Sequence, residues 1–407
     1  MKTVLIISEY NPFHKGHKYQ IDDVRREFGE DTAIISLMSG NYTQRGDIAI
    51  MDKFIRAQSA VLGGVNLVLM LPFPYSMSSA EFFAGAGVEI ANRLGVVDVL
   101  AFGSENGDVN KLCEIAKNML SPEFTSEIKK VEGDDDKKHL GYPKLCEYVY
   151  EKLFSSDLSH SFFEPNNILA LEYIKALRKT KSDIIPYTTK RVGANYNAEN
   201  IIDSQFQSAT AIRKESFINP SSAAYYISDS SKNVFLEAFN SGKAPCDANN
   251  LSAAILSHFR LNSPSASCDI HDADGGLYNR LVAAGIKATD ISSLIELAST
   301  KKYTTARIKR AIWYSFFGVT SSDVRTMPRY TQVLAMDAKG QALLKRIKKT
   351  TAFPIITKPS STQMLDEVGL RQKMLSDKAD FIFELSKPIS SPADAVFKAS
   401  PFIKKGE

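Results

Sequence analysis

Val4-Leu5-Ile6-Ile7 followed closely by Asn11-Pro12-Phe13-His14-Lys15-Gly16-His17 is the stretch on which the fold turns: an apolar strand, a short turn, then an amphipathic helix. A helix entered from a strand leaves its first N–H groups unpaired and partly positive, so such a turn attracts phosphate. Two of the chain's six histidines stand there. Histidines so placed can donate hydrogen bonds to phosphate oxygens whose charge grows as pyrophosphate leaves. Gly16 lets the backbone approach closely, and Pro12 suits an extended segment turning into a helix. His-x-Gly-His also occurs in ordinary loops, where His14 and His17 would be plain turn residues. The helical spacing of Tyr19, Ile21, Val24 and Phe28 just beyond it favours the nucleotide site.

Around this turn, apolar strands at Thr3–Ser8, Ala33–Met38, Leu67–Leu71 and Val97–Phe102 alternate with helices beginning near Lys18 and Asp52 and spanning Ala80–Leu94. That alternation predicts an α/β domain whose parallel, Rossmann-type sheet is covered on both faces and binds ligands at the carboxyl ends of its strands. The loops holding His14, Gly40, Pro72 and Gly103 all follow strands and are expected to open onto one crevice. Gly85-Ala86-Gly87 predicts close packing of the third helix on the sheet. A helix over Asn167–Leu177 and a strand over Ile184–Thr188 continue the pattern, which becomes mainly helical beyond Phe217. The expected organisation is an α/β domain over 1–217 and a helical region over 218–407.

The chain has 407 residues, 44% of them hydrophobic, enough for two or three cores. No apolar run reaches the ~20 residues that span a bilayer, and the first residues lack the pattern of a signal peptide, so a cytoplasmic protein is expected, with no membrane or protein partner implied. Cys113, Cys146, Cys246 and Cys268 are scattered; the pair Cys268 and His271 lacks two further ligands, so neither a disulfide framework nor a metal site is expected. The acidic run Glu132-Gly133-Asp134-Asp135-Asp136 reads as a solvated loop. Charge is unevenly spread: residues 1–110 hold 9 Lys/Arg against 13 Asp/Glu (−4), residues 301–407 hold 20 against 9 (+11), and the whole chain is +4. A basic region remote from a phosphate site fits a catalytic domain joined to a surface for a polyanion.

A second cluster, Ser208-Ala209-Thr210-Ala211-Ile212-Arg213, places hydroxyls at a helix start ahead of a guanidinium. It reads equally as a simple N-cap. Joined with the histidine turn it has the partner role in an ATP site, with Ser208 and Thr210 on the outgoing phosphates and Arg213 neutralising their charge.

Together the two clusters resemble the HxGH and ISSTxxR signatures of the nucleotidylyltransferase superfamily. The wider segments Glu9–His17, Met38–Gly46, Phe102–Asp108 and Pro165–Leu169 resemble the bacterial tRNA(Met) cytidine acetate ligases, and the likeness weakens over the last eighty residues or so. The resemblance implies an enzyme that activates acetate with ATP as acetyl-adenylate, with Mg2+ as the counter-ion, and passes the acetyl group to N4 of the wobble cytidine of elongator tRNA(Met). It implies that Ile7, Asn11, Pro12, Phe13, His14, Gly16, His17 and Gln20 cradle ATP, that Gly103, Asn167, Arg191 and Val192 complete the pocket, and that His14, His17 and Arg213 are catalytic. Ala209 stands where many relatives have Ser, so one phosphate hydroxyl is missing. The runner-up is an adenylyltransferase for a small phosphorylated metabolite.

Two further sets point to RNA. Gln44 and Arg45, in a polar loop at a strand's end, are expected to orient acetate or the entering cytidine. Lys301, Lys302, Arg307 and Arg310 form a basic cluster in which the two arginines share a helical face, a spacing suited to successive phosphates; Lys345-Arg346-Ile347-Lys348-Lys349 is a second. Either run also reads as a solvated face. Tyr42 or Phe73 is a candidate to hold the unstacked base.

Overall fold

The computed structural model describes residues 1–132, 142–154, 160–191, 206–264 and 269–405; residue 192, Cys268 and the acidic run from residue 133 lie outside that set. Among the described residues, one sheet contains β1 (Thr3–Ser8), β2 (Ala33–Ser39), β3 (Leu67–Leu71), β4 (Val99–Ser104), β5 (Ile185–Lys190), β6 (Thr331–Met336), β7 (Ile355–Ile356) and β8 (Phe402–Ile403). Their order is β5-β4-β1-β2-β3-β6-β7, with β8 also paired to β6. Strands β1 to β5 pair in parallel. Both faces of such strands are covered, which is why Val4, Leu5, Ile34, Ile35, Leu67 and Val68 are all wholly buried.

The crossovers are α1 (Lys15–Phe28), α2 (Lys53–Leu62) and α3 (Ala80–Leu94). Ile21, Val24, Ala57 and Val61 of α1 and α2 cover one face of the sheet, together with Val4 and Ile6. Leu5 and Ile7 point to the other face, where Phe83, Val88 and Ile90 of α3 meet Leu171 and Ile174 of helix Pro165–Lys179. A side chain at Gly87 would collide with Ile7, so α3 needs glycine there; at Gly85 it would meet nothing. Because β1 lies between β2 and β4, the connections leave it in opposite directions, and that reversal opens a crevice at the carboxyl ends of β1 and β4.

Residues after 218 are mainly helical, but they also return to the sheet. β6 runs antiparallel beside β3, an edge the periodicity reading does not contain. The run Thr331–Met336 stands in a mainly helical stretch, outside the strand–helix alternation that marks β1 to β4. Of the four strand-end loops, the one after β3 departs from expectation, while the one after β2 reaches the crevice through residues 43–47 but buries its aromatic ring. Tyr42 and Phe73, in the loops after β2 and β3, are buried in a core with Trp313 and Phe317 of helix Thr305–Phe317. The Trp313 indole N–H donates to the Gly46 carbonyl at 3.0 Å, and the Tyr42 hydroxyl donates to the Ala379 carbonyl at 3.1 Å. These aromatic rings therefore join the helical region to the sheet and are not presented to a base. Among the described residues no helix is long and apolar enough to cross a membrane.

Candidate active site

The strand-to-helix turn is tighter than its sequence reading. Tyr10 takes φ 46°, a left-handed conformation strained for an aromatic residue, where the chain leaves β1. Helix α1 begins at Lys15, three residues before the expected start, because His14 itself is the N-cap. Its Nδ1 accepts from the Gly16 N–H at 3.0 Å, and the His17 Nδ1 accepts from the His14 N–H at 3.2 Å. A nitrogen that accepts carries no proton, so a neutral ring in this arrangement holds its proton on Nε2. The two rings are stacked with centroids 3.8 Å apart. A Cβ on Gly16 would lie 2.9 Å from the His14 ring, which explains glycine between the histidines. Burial lowers the His14 pKa to about 3, with Arg191 and Arg213 adding to the effect. Burial also holds His17 well below its ordinary value, then His14 and Arg191. Both imidazoles are therefore neutral donors at physiological pH, set at the positive end of a helix.

Arg213 closes this arrangement from helix Ala209–Ile218. It donates to the Asn11 carbonyl at 2.9 Å and to the Thr210 hydroxyl at 3.2 Å, so the second cluster is fastened to the histidine turn. Ser208 is spent locally: its Oγ caps the helix by accepting from the Ala211 N–H at 3.0 Å. Asn11 in turn accepts the Ile50 N–H at 2.8 Å through Oδ1. These groups face a cleft of about 490 Å³, inside the roughly 300–1,000 Å³ typical of small-molecule sites. Ile7, Gln20, Gly103, Arg191 and Thr210 line it, and Gly16 lines an adjoining recess.

Not every expected residue reaches the cleft. Phe13 is buried in the core under α2. Asn167 is wholly buried, its side chain accepting from the Glu105 N–H at 3.0 Å and donating to Asn106 at 2.6 Å, so it shapes the loop after β4 while its neighbour Asn166 lines the cleft. Val192 lies outside the described residues.

The opposite wall was largely missed from sequence. It comprises Glu9, Thr43 and Asp47 with the expected Gln44 and Arg45, and Thr305, Ala306 and Lys309 from the helical region. Lys309 pairs with Asp47 at 2.6 Å. The wholly buried Arg56 donates to the carbonyls of Glu9, Ser39, Gly40 and Met51, tying together the chain ends after β1 and β2. A contact formed between residues as far apart in the chain as Asp47 and Lys309 leaves no local pattern. Among the expected RNA contacts, Arg310 is corrected: it is buried and paired with Asp272 at 2.5 Å. Arg307 donates to the Asp272 carbonyl at 3.0 Å and pairs with Asp274, and Lys302 donates to the Gly275 carbonyl at 2.9 Å. The helical spacing that aligned the arginines also aligned them with a neighbouring acidic turn. Lys301 is exposed.

A parallel sheet with a histidine-capped helix at its switch point, and an arginine clamped to the same turn, defines a nucleotide-binding enzyme of the HxGH type. The chain belongs to the HIGH Nucleotidyl Transferase family, whose model matches residues 1–393. Within that family it is similar to the tRNA(Met) cytidine acetate ligase of Acetivibrio thermocellus, 36% identical over 389 residues and covering 92% of each chain. The enzyme of the same name from Thermosipho africanus is 35% identical over 385 residues, 93% of this chain and 87% of its own. The crystal structure of Thermotoga maritima TmcAL bound with alpha-thio ATP matches over 100% of both chains, with a TM-score of 0.89 and 29% identity.

Proposed function

We propose that this chain is an ATP-dependent acetate ligase of the cytoplasm, which forms acetyl-adenylate and passes its acetyl group to N4 of the wobble cytidine of elongator tRNA(Met). The observation that carries the reading is the stacked histidine pair at the N-terminus of α1, each Nδ1 taken by a backbone N–H, with Arg213 fastened to the same turn. The name shared by its relatives supports acetate and tRNA as the substrates.

The first step needs little from the protein by way of base. Acetate is already ionised at neutral pH; one of its oxygens attacks the α-phosphorus, the bond to pyrophosphate breaks, and charge collects on the departing oxygens. The Nε2–H groups of His14 and His17, the positive end of α1 and the guanidinium of Arg213 act on that charge. Magnesium is expected to enter with the substrate, as the counter-ion of the triphosphate. In this reading residues 1–217 carry the nucleotide chemistry and 218–407 grip the RNA.

The test is exchange of labelled pyrophosphate into ATP, with and without acetate, followed by transfer of labelled acetyl to an elongator tRNA(Met) transcript. Exchange should require acetate, and His17→Ala should lower it by about 10²–10³-fold, the usual effect of losing one donor to transition-state charge, while circular dichroism shows an intact fold. Near-normal exchange by His17→Ala overturns the assigned role. Exchange driven by a phosphorylated metabolite instead of acetate would establish the adenylyltransferase.

A further inference from the structure

Transfer of the acetyl group poses a problem that the histidine pair does not solve. The lone pair of cytosine N4 is delocalised into the ring, so the amine attacks well only if a proton leaves it as the C–N bond forms. Neither imidazole can take that proton in its resting state: each Nδ1 already accepts a backbone N–H, and each Nε2 is protonated. Among the described residues, the acidic ones that line the cleft are Glu9 and Asp47. Asp47 is neutralised by Lys309 at 2.6 Å.

Glu9 is placed differently. It follows β1 directly, and its backbone carbonyl is fixed by the buried guanidinium of Arg56. One carboxylate oxygen, Oε1, accepts the Gln44 N–H at 2.8 Å; among the described residues Oε2 has no hydrogen-bond partner. The side chain shares the cleft with His14, His17 and Arg213, is bonded to the loop of residues 43–47 through Gln44, and feels the charges of Arg213, Arg45 and Asp47. An acyl group joined to a nucleotide at the histidines, and an RNA base entering along that loop, would meet beside it.

Resting on the acetyl-transfer reading above, we propose that Glu9 is the catalytic base of the second step, receiving through Oε2 the proton that cytidine N4 loses. N4 attacks the acetyl carbonyl carbon, the C–N bond forms, and the bond from that carbon to the AMP phosphate oxygen breaks with its electron pair leaving on AMP. The proton passes from N4 to Glu9 and then to solvent. Burial raises the Glu9 pKa above its ordinary value, which makes the carboxylate a stronger base; Arg213, Arg45 and the Gln44 N–H oppose that rise, and Asp47 adds to it.

Glu9→Gln tests this, because glutamine keeps an oxygen for the Gln44 N–H while losing the base. Pyrophosphate exchange should fall less than about tenfold, whereas single-turnover transfer of acetyl from preformed adenylate to the tRNA transcript should fall by about 10²–10⁴-fold, the range for loss of a general base. The acid limb of the wild-type transfer rate should also vanish in the variant. An equal loss in both steps would mark Glu9 as a positioning residue and overturn the proposal, as would wild-type transfer by Glu9→Gln. Absence of acetate-dependent exchange in the wild-type enzyme would instead overturn the reading underneath.

Discussion

His14 sits neutral beside Arg191 and Arg213, and this determines how the ligand-free protein meets acid. Its pKa is about 3 in the folded chain against 6.5 for an ordinary histidine. Between those values the unfolded chain binds a proton that the folded chain refuses, so the contribution to stability is complete above about pH 6.5 and is lost as the pH falls towards 3. His17 acts in the same direction. Glu9 and Asp380, whose carboxyls hold their protons more tightly when folded, act in the opposite one. His14→Asn removes the titration and keeps an N-cap acceptor for the Gly16 N–H. Its melting temperature should therefore fall less than that of the wild type between about pH 7 and about pH 5. Parallel melting curves for the two proteins would show that His14 titrates like a solvated histidine and would remove the ground for treating it as a neutral donor.

Helix Glu367–Phe383 shows how an element remote in sequence positions the loop beside the site. Asp380 accepts from the Asn41 amide at 2.9 Å and pairs with Lys53 at the start of α2, with both charged side chains almost fully buried. Removing one partner strands a buried charge, so Asp380→Ala should cost about 3–5 kcal/mol in denaturant unfolding, and the double change Lys53→Met with Asp380→Leu should recover much of it. A loss below about 1 kcal/mol for Asp380→Ala would mean that water reaches Lys53. The same element marks where sequence reading stops. β1 to β5 and α1 to α3 were legible because each carries its own period, and the histidine and Arg213 clusters were legible because each occupies one turn. α1 starts early because a histidine caps it, which propensity does not favour. Tyr42 and Phe73 looked free to hold a base because their cover, Trp313 and Phe317, arrives from the far end of the chain. Glu9 lies within the segment Glu9–His17, but sequence assigns it no role, since its meaning comes from which neighbours are already neutralised.

At the scale of the molecule, the basic excess of the C-terminal region divides into two places. Lys301 and Lys302 occupy the exposed turn leading into helix Thr305–Phe317, whose next residues line the cleft. Lys345, Arg346, Lys348 and Lys349 lie exposed on helix Ala338–Thr350, at the other end of the sheet. That helix is fastened where strands begin: Lys339 donates to the Asp31 carbonyl at 2.6 Å, just before β2, and Thr350 to the Leu94 carbonyl at 3.4 Å, before β4. Six strand residues separate the two ends, about 20 Å, which is about two and a half times the screening length of physiological salt. RNA seated at the cleft should feel the first pair and hardly the second set. Replacing Lys301 and Lys302 by Gln should reduce the slope of log affinity for tRNA against log salt by about 1.4–1.8, two released counter-ions' worth. Replacing the four residues of the second set should leave the slope as it was. The reverse result would place the RNA across the strand-start edge, too far from His14 and Glu9 for its wobble base to reach them without a second contact surface between.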